Sequence, residues 1–331
     1  MIKEFAVKFI IFTLPMSMVI ASYVVFDPFK VLYTYDDFYD KSYVNVNRDY
    51  ISSRTFVNKY NKYHYNSFIF GSSRTEGFQT KDWVTHLDKS ASPFAFDASS
   101  ERITGIHSKL KFLDERNVDI KNALVLICSD VTFAKPQRME GVLLSKDPEV
   151  EGEGRYLHFH QAFFSAYMHD YFFVRYLKFH LFHIRNDGGL LMDFIDLKAD
   201  SVTNDLYILY REAELKEDSI AYYENKDFYK HSGIEERCPV QIDDTLKEKL
   251  QEIKHIFEKR KTNYEIVLTP LYDQKKLNAK DIEVLLQIFG KDHVRDFSGI
   301  NEITDNKYNY YEWSHFRPFV GKKIMNQIYK K

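Results

Sequence analysis

The sequence predicts an α/β protein, a three-layer α/β/α domain on a mostly parallel central sheet, preceded by one transmembrane helix at the amino terminus. Three observations carry this reading. Short apolar runs, Phe68-Ile69-Phe70, Phe94-Ala95-Phe96, Ala123–Cys128 and Ile266-Val267-Leu268, have the composition of strands covered on both faces. Segments with apolar residues three and four apart lie between them, as in helices packed on a sheet, and strands alternating with helices give parallel pairing. The third observation is the run Phe5–Phe26, 22 positions interrupted mainly by Lys8 and hydroxyls, long enough for a helix to cross a bilayer core.

The chain divides into an anchor over 1–28, a membrane-proximal linker packing on the domain over 29–64, and an α/β domain over 65–331 with a helical, aromatic-rich insertion at about 133–230. Within the anchor, Ala21-Ser22 offers small residues for cleavage, but Tyr23-Val24-Val25-Phe26 continues the apolar stretch, which favours an uncleaved helix. Lys3 and Lys8 lie at its start, and Asp27, Asp36, Asp37 and Asp40 follow it. The positive-inside rule then puts the amino terminus in the cytoplasm and the rest outside. The linker is rich in tyrosine, aspartate and asparagine with little periodicity; its aromatics suit a membrane interface or ordinary surface packing.

Ser67-Phe68-Ile69-Phe70-Gly71-Ser72-Ser73-Arg74 reads as a buried strand ending in a tight turn that Gly71 permits. It would hold Ser73 at the carboxyl edge of the sheet, where sites lie in open α/β folds. By itself this pattern more often marks a plain turn. Phe94–Phe96 is the next strand, and Asp97-Ala98-Ser99-Ser100 is expected to cap the helix of Ile103, Ile106, Leu110 and Leu113. Ala123–Cys128 is a third strand; Asp130 at its end would close a turn, orient the serine loop or bind substrate.

The insertion holds His158, His160, His169, His180 and His183 among many aromatics, after an acidic loop at Asp147–Glu153. No carboxylate or cysteine falls at a matching offset, so packed histidines are expected and no metal. Such helices could line an acceptor groove, touch the membrane or bind a membrane partner. Asp243 caps a helix with Leu246, Leu250, Ile253 and Phe257 on one face; a strand follows at Tyr264, then a helix closed by Gly290, a strand near Val294, and a last helix from Pro318.

Just before that helix stands Glu312-Trp313-Ser314-His315. On a loop or first helical turn, residues three apart lie on one side, so Glu312 can orient His315, whose other nitrogen would serve a serine as base. Together these two stretches resemble the SGNH or GDSL hydrolase-like superfamily, whose domain is flavodoxin-like. They are closest to its membrane-anchored branch of cell-envelope acyltransferase-like proteins related to DltD and the alginate acetylation proteins. Gly71-Ser72-Ser73-Arg74 resembles the first block, with Ser73 as nucleophile, and Glu312-Trp313-Ser314-His315 the last, usually Asp-x-x-His. Glu312 replaces the usual aspartate, and Ile127-Cys128-Ser129-Asp130 stands where the hydrolases carry Gly-x-Asn-Asp, so the oxyanion asparagine is missing, as it often is in the envelope branch.

The resemblance implies an acyltransferase or esterase acting on hydroxyls of an envelope or exported polysaccharide through an acyl-serine. Amides near Ser73 and Ser99 or Ser100, with Arg74, would hold the oxyanion, and a multi-pass membrane O-acyltransferase would be a partner. An inactive binding or assembly module of the same system is the alternative. A formal net charge of −2 and the absence of basic blocks, zinc-type Cys/His spacing and nucleotide-binding glycine motifs point away from nucleic acid and from a cofactor. Cys128 and Cys238 are not expected to pair.

Overall fold

The computed structural model describes residues 2–39, 43–135, 141–151, 155–184, 191–192, 197–226 and 228–330. Asp40 and the end of the acidic loop, residues 152–153, lie outside them. Helix α1 (Ile2–Phe26) is followed by α2 (Arg48–Tyr63), β1 (Ser67–Phe70), β2 (Pro93–Ala95), α3 (Ile103–Glu115) and β3 (Asn122–Ile127). Helices α4 (Tyr156–Met168), α5 (Phe172–Phe182) and α6 (Leu209–Glu217) occupy the insertion. Next come α7 (Asp244–Arg260), β4 (Asn263–Leu268), α8 (Ala279–Phe289), β5 (Val294–Asp296) and α9 (Pro318–Ile328).

The five strands form one sheet in the order β2-β1-β3-β4-β5 with every neighbouring pair parallel. That is the flavodoxin-like order, whose switch point lies between β1 and β3. Period-two alternation divides the strand residues between two cores. Phe68, Phe70, Val125, Ile127, Ile266 and Leu268 face α2, α3, α7 and α8. Ile69, Leu124, Leu126 and Val267 face Trp83 and the Val320, Ile324 and Met325 stripe of α9. Both faces are covered, so the runs are continuously apolar.

Several helix ends follow local chemistry. The Asp243 carboxylate accepts the Leu246 N–H at the start of α7, Gly290 takes φ +85° after α8, and Pro318 opens α9. The cap expected from Asp97–Ser100 is a correction: α3 begins after Arg102 with no side-chain cap. Asp97 instead turns inward, bound by the Arg48 guanidinium (Nε–Oδ2 3.1 Å) and by the Thr75 hydroxyl (2.8 Å).

Residues 48–63, within the stretch expected as linker, form a core helix with Phe56 packed on Phe68, Phe94, Phe96 and Phe112. Its amino-terminal turn joins a buried charge cluster: Lys109 Nζ lies 2.5 Å from Glu101 and 3.2 Å from Asp49, and Lys146 bridges the same two carboxylates. Such pairing makes buried charge tolerable.

The amino-terminal run is helical, but the expected transmembrane span is not found: among the described residues no helix is long and apolar enough to cross a membrane. Lys8 and Pro15 lie within α1, and Glu4 is in its first turn. Phe5, Phe9, Ile11, Phe12, Met18 and Val25 are exposed on it, while the Thr13 and Ser17 hydroxyls donate back to carbonyls one turn earlier. Its carboxyl end is held firmly. Tyr23 and Phe29 pack with Phe163, Tyr167, Phe172 and Tyr176 of α4 and α5. The Asp27 carboxylate accepts the N–H groups of Val31, Leu32 and Tyr33 and the Tyr35 hydroxyl. His180 lies against the Phe26 and Tyr176 rings, and no group of three His, Cys, Asp or Glu among the described residues is placed to hold a metal.

Candidate active site

Strand β1 ends at the switch point and passes into a single 3-10 turn, Ser73–Gly77. The Ser72 side chain is buried against Cys128 (Oγ–Sγ 3.4 Å) and does not cap this turn. The N–H groups of Ser73 and Arg74 at its start therefore suit a developing oxyanion. Ser73 is half-buried and points the other way, its Oγ 2.9 Å from His315 Nε2.

Glu312 and His315 lie on neither a loop nor a helical turn, as the spacing suggested, but on an antiparallel hairpin, Tyr310–Glu312 with His315–Phe316, in which they are direct cross-strand partners. Such partners bring side chains together as a helical turn does. Glu312 Oε1 bonds His315 Nδ1, and Oε2 accepts the Ser314 N–H at 2.7 Å. Burial alone would raise the Glu312 carboxyl, but the His315 hydrogen bond and charge, the Ser314 N–H and Arg211 outweigh it and hold it below the ordinary carboxylate range. An ionised Glu312 favours the tautomer with the proton on Nδ1, which leaves Nε2 to accept from the serine hydroxyl.

Arg74 joins three chain segments. Its guanidinium donates to both Asp130 oxygens (3.2 and 2.7 Å), to the Ser314 carbonyl (3.0 Å) and to the Ser314 hydroxyl (2.9 Å). It ties the nucleophile turn to the end of β3 and to the hairpin, and is committed there rather than turned to an oxyanion. Asp130 is thereby joined to the serine turn through Arg74. Ser99 and Ser100 sit in the turn after β2, Ser100 at φ +50°, and among the described residues no hydrogen bond joins them to the triad. Close backbone approach completes the frame. A Cβ on Gly321 of α9 would lie 1.9 Å from the Gly77 carbonyl oxygen, and one on Gly77 would lie 2.3 Å from the Phe316 ring.

Sequence reasoning missed Glu76. In a 3-10 turn residues three apart eclipse, so Glu76 stacks behind Ser73. It is buried, and its Oε1 has no hydrogen-bond partner among the described residues. Burial pushes its carboxyl up to about 7, against the opposing charges of His315 and Arg211. The only sequence signal was the three-residue offset from Ser73. Cys128 and Cys238 are both free, buried thiols.

No protein-family model matches the chain, and no curated protein matches it. Its chemistry is therefore read from the site alone.

Proposed function

We propose that the protein is a serine-dependent acyltransferase or esterase with an SGNH-like site. The observation that carries this is the continuous chain Ser73 Oγ, His315 Nε2, His315 Nδ1 and Glu312. Ser73 attacks an acyl carbonyl as its proton passes to His315 Nε2, and the Glu312 carboxylate stabilises the imidazolium. Collapse of the tetrahedral intermediate expels the donor's leaving group, which takes that proton. A hydroxyl, of a glycan or of water, then gives its proton to His315 and attacks the acyl-serine, releasing the ester or acid and restoring Ser73. The strand order and the position of Ser73 at the switch point support the family resemblance, and with it an envelope or exported polysaccharide as acceptor and a multi-pass acyltransferase as acyl supplier. The exposed apolar side chains of α1 support attachment to the cell membrane, and the charge asymmetry of Lys3 and Lys8 against Asp27, Asp36, Asp37 and Asp40 supports the amino terminus inside and the α/β domain outside.

Fluorophosphonate labelling tests the chemistry. The purified protein labels at Ser73; labelling is lost in Ser73→Ala and His315→Ala, persists in Ser72→Ala, and slows by a smaller factor in Glu312→Gln, since in well-characterised serine enzymes loss of nucleophile or base costs about 10⁶ and loss of the acid about 10⁴. No labelling of a folded wild type would leave an inactive glycan-binding module as the reading.

A further inference from the structure

A pocket of about 350 Å³ lies beside the segments that bear the triad, although Ser73, Glu312 and His315 do not themselves line it; its volume is within the range of roughly 300–1,000 Å³ usual for small-molecule sites. Each stretch that bears a triad residue also sends a neighbour into its wall: Glu76 from the Ser73 turn, Tyr311 from beside Glu312, and Arg317 from two residues past His315. Most of the charge in the wall is already used. Arg317 donates to both Glu212 oxygens (3.0 and 2.8 Å), and the Tyr311 hydroxyl donates to the same carboxylate at 2.8 Å. Lys81 lies over the Tyr207 ring, 5.4 Å from its centroid. Gln79 pins the floor by donating to the Glu76 and Leu206 carbonyls.

The same wall holds a buried carboxyl whose Oε1 has no partner among the described residues, Glu76, and two apolar side chains open to solvent, Leu209 at 50% and Phe319 at 46% exposure. Where Glu76 is ionised it disfavours an anion beside it, against the pull of Lys81 in the same wall. A purely apolar group would leave that carboxyl unsatisfied. A neutral polyhydroxylated ring answers both demands, with hydroxyls for Glu76 and a C–H face for Phe319 and Leu209.

We infer that this pocket is the acceptor subsite, and that it takes a neutral sugar ring whose hydroxyl is offered to the acyl-serine, with Glu76 as its recognition group. The inference rests on the acyl-transfer reading for its place in the reaction, but sugar binding can be measured without that reaction. At neutral pH the Glu76 carboxyl is present in both protonation states, so it can donate to or accept from a sugar hydroxyl.

The test uses the full chain in a detergent without a sugar headgroup, with methyl β-glucoside and cellobiose as neutral probes and methyl β-glucuronide as the charged one, read by saturation-transfer NMR. Both neutral probes should bind wild type and Ser73→Ala alike, and the glucuronide should bind more weakly. Binding should fall at least about tenfold in Glu76→Leu, the loss expected for one hydrogen bond to a carboxylate. It should also fall in the solvent-exposed variants Phe319→Ala and Leu209→Ala, which do not depend on a buried substitution folding. Fluorophosphonate labelling of wild type without any neutral-sugar signal, or sugar binding unchanged in all three variants, overturns the subsite and leaves the triad standing. Sugar binding that responds to these variants in a protein that never labels sinks the acyl-transfer reading and keeps the subsite.

Discussion

Replacing Glu76 by glutamine should change how stability depends on pH, and the size of the effect follows from burial. The Glu76 carboxyl is raised from 4.5 to about 7 in the folded protein, a displacement worth about 3 kcal/mol at roughly 1.4 kcal/mol per pH unit. The sign follows from proton counting. Between pH 4.5 and 7 the folded state holds this proton and the unfolded state releases it, so stability declines as pH rises across that window. The protonated form contributes fully below 4.5, and the whole increment is lost by about pH 7. Glu76→Gln removes the titration, while groups remote from it titrate alike in both proteins and cancel in the comparison. Between pH 5 and pH 7.5 about 2.4 kcal/mol of this contribution is lost, so thermal unfolding should show wild type losing about 3 °C to the variant, given about 1.4 °C per kcal/mol in a chain of this size. Parallel curves across that range would mean that Glu76 ionises like a solvated carboxylate, and the argument from its burial would be wrong.

Gly321→Ala puts a methyl group where the Gly77 carbonyl now stands; it should move the nucleophile turn and cut fluorophosphonate labelling about 10²-fold, the cost of an ångström-scale misplacement. Arg74→Lys keeps the charge but loses the fork that holds Asp130 and Ser314 together, so labelling should fall about tenfold with a far smaller shift in melting temperature. A reporter enzyme fused after Lys331 and active only outside the cytoplasm should give signal in cells; signal from a cytoplasm-only reporter instead would reverse the proposed orientation.

What could be read from the sequence was what neighbouring residues decide. Phe68-Ile69-Phe70 followed by Gly71 marks a buried strand and its end, and Asp243, Gly290 and Pro318 mark helix ends through their own backbone chemistry. Helix α2 was not legible, because the residues it buries beside Ile51 and Phe56 include Arg48, Asp49, Ser52, Ser53 and Thr55. The partners of Arg48 and Asp49, which are Asp97, Lys109 and Lys146, are far away in the chain, and no apolar period announces such a face. The same limit applied at the site. Spacing put Glu312 and His315 within reach of each other, but three residues suit a two-residue hairpin as well as a helical turn. Only the folded chain distinguishes them. The distinct tasks of Arg74 and Glu76, two residues apart on one turn, depend on which segments close over them, Asp130 and Ser314 for one and the Leu206–Leu209 stretch for the other.

The knot around Asp27 bears on mechanics. A free chain as long as residues 27–39 would let its ends wander over roughly 20 Å, so a domain on such a leash would sweep the space above its anchor. Here one carboxylate gathers three backbone amides and a tyrosine hydroxyl directly after α1, and the α4–α5 aromatics clasp the helix end. The joint behaves as a bracket. If α1 is seated in a bilayer, Ser73 stands at one height and one tilt above it.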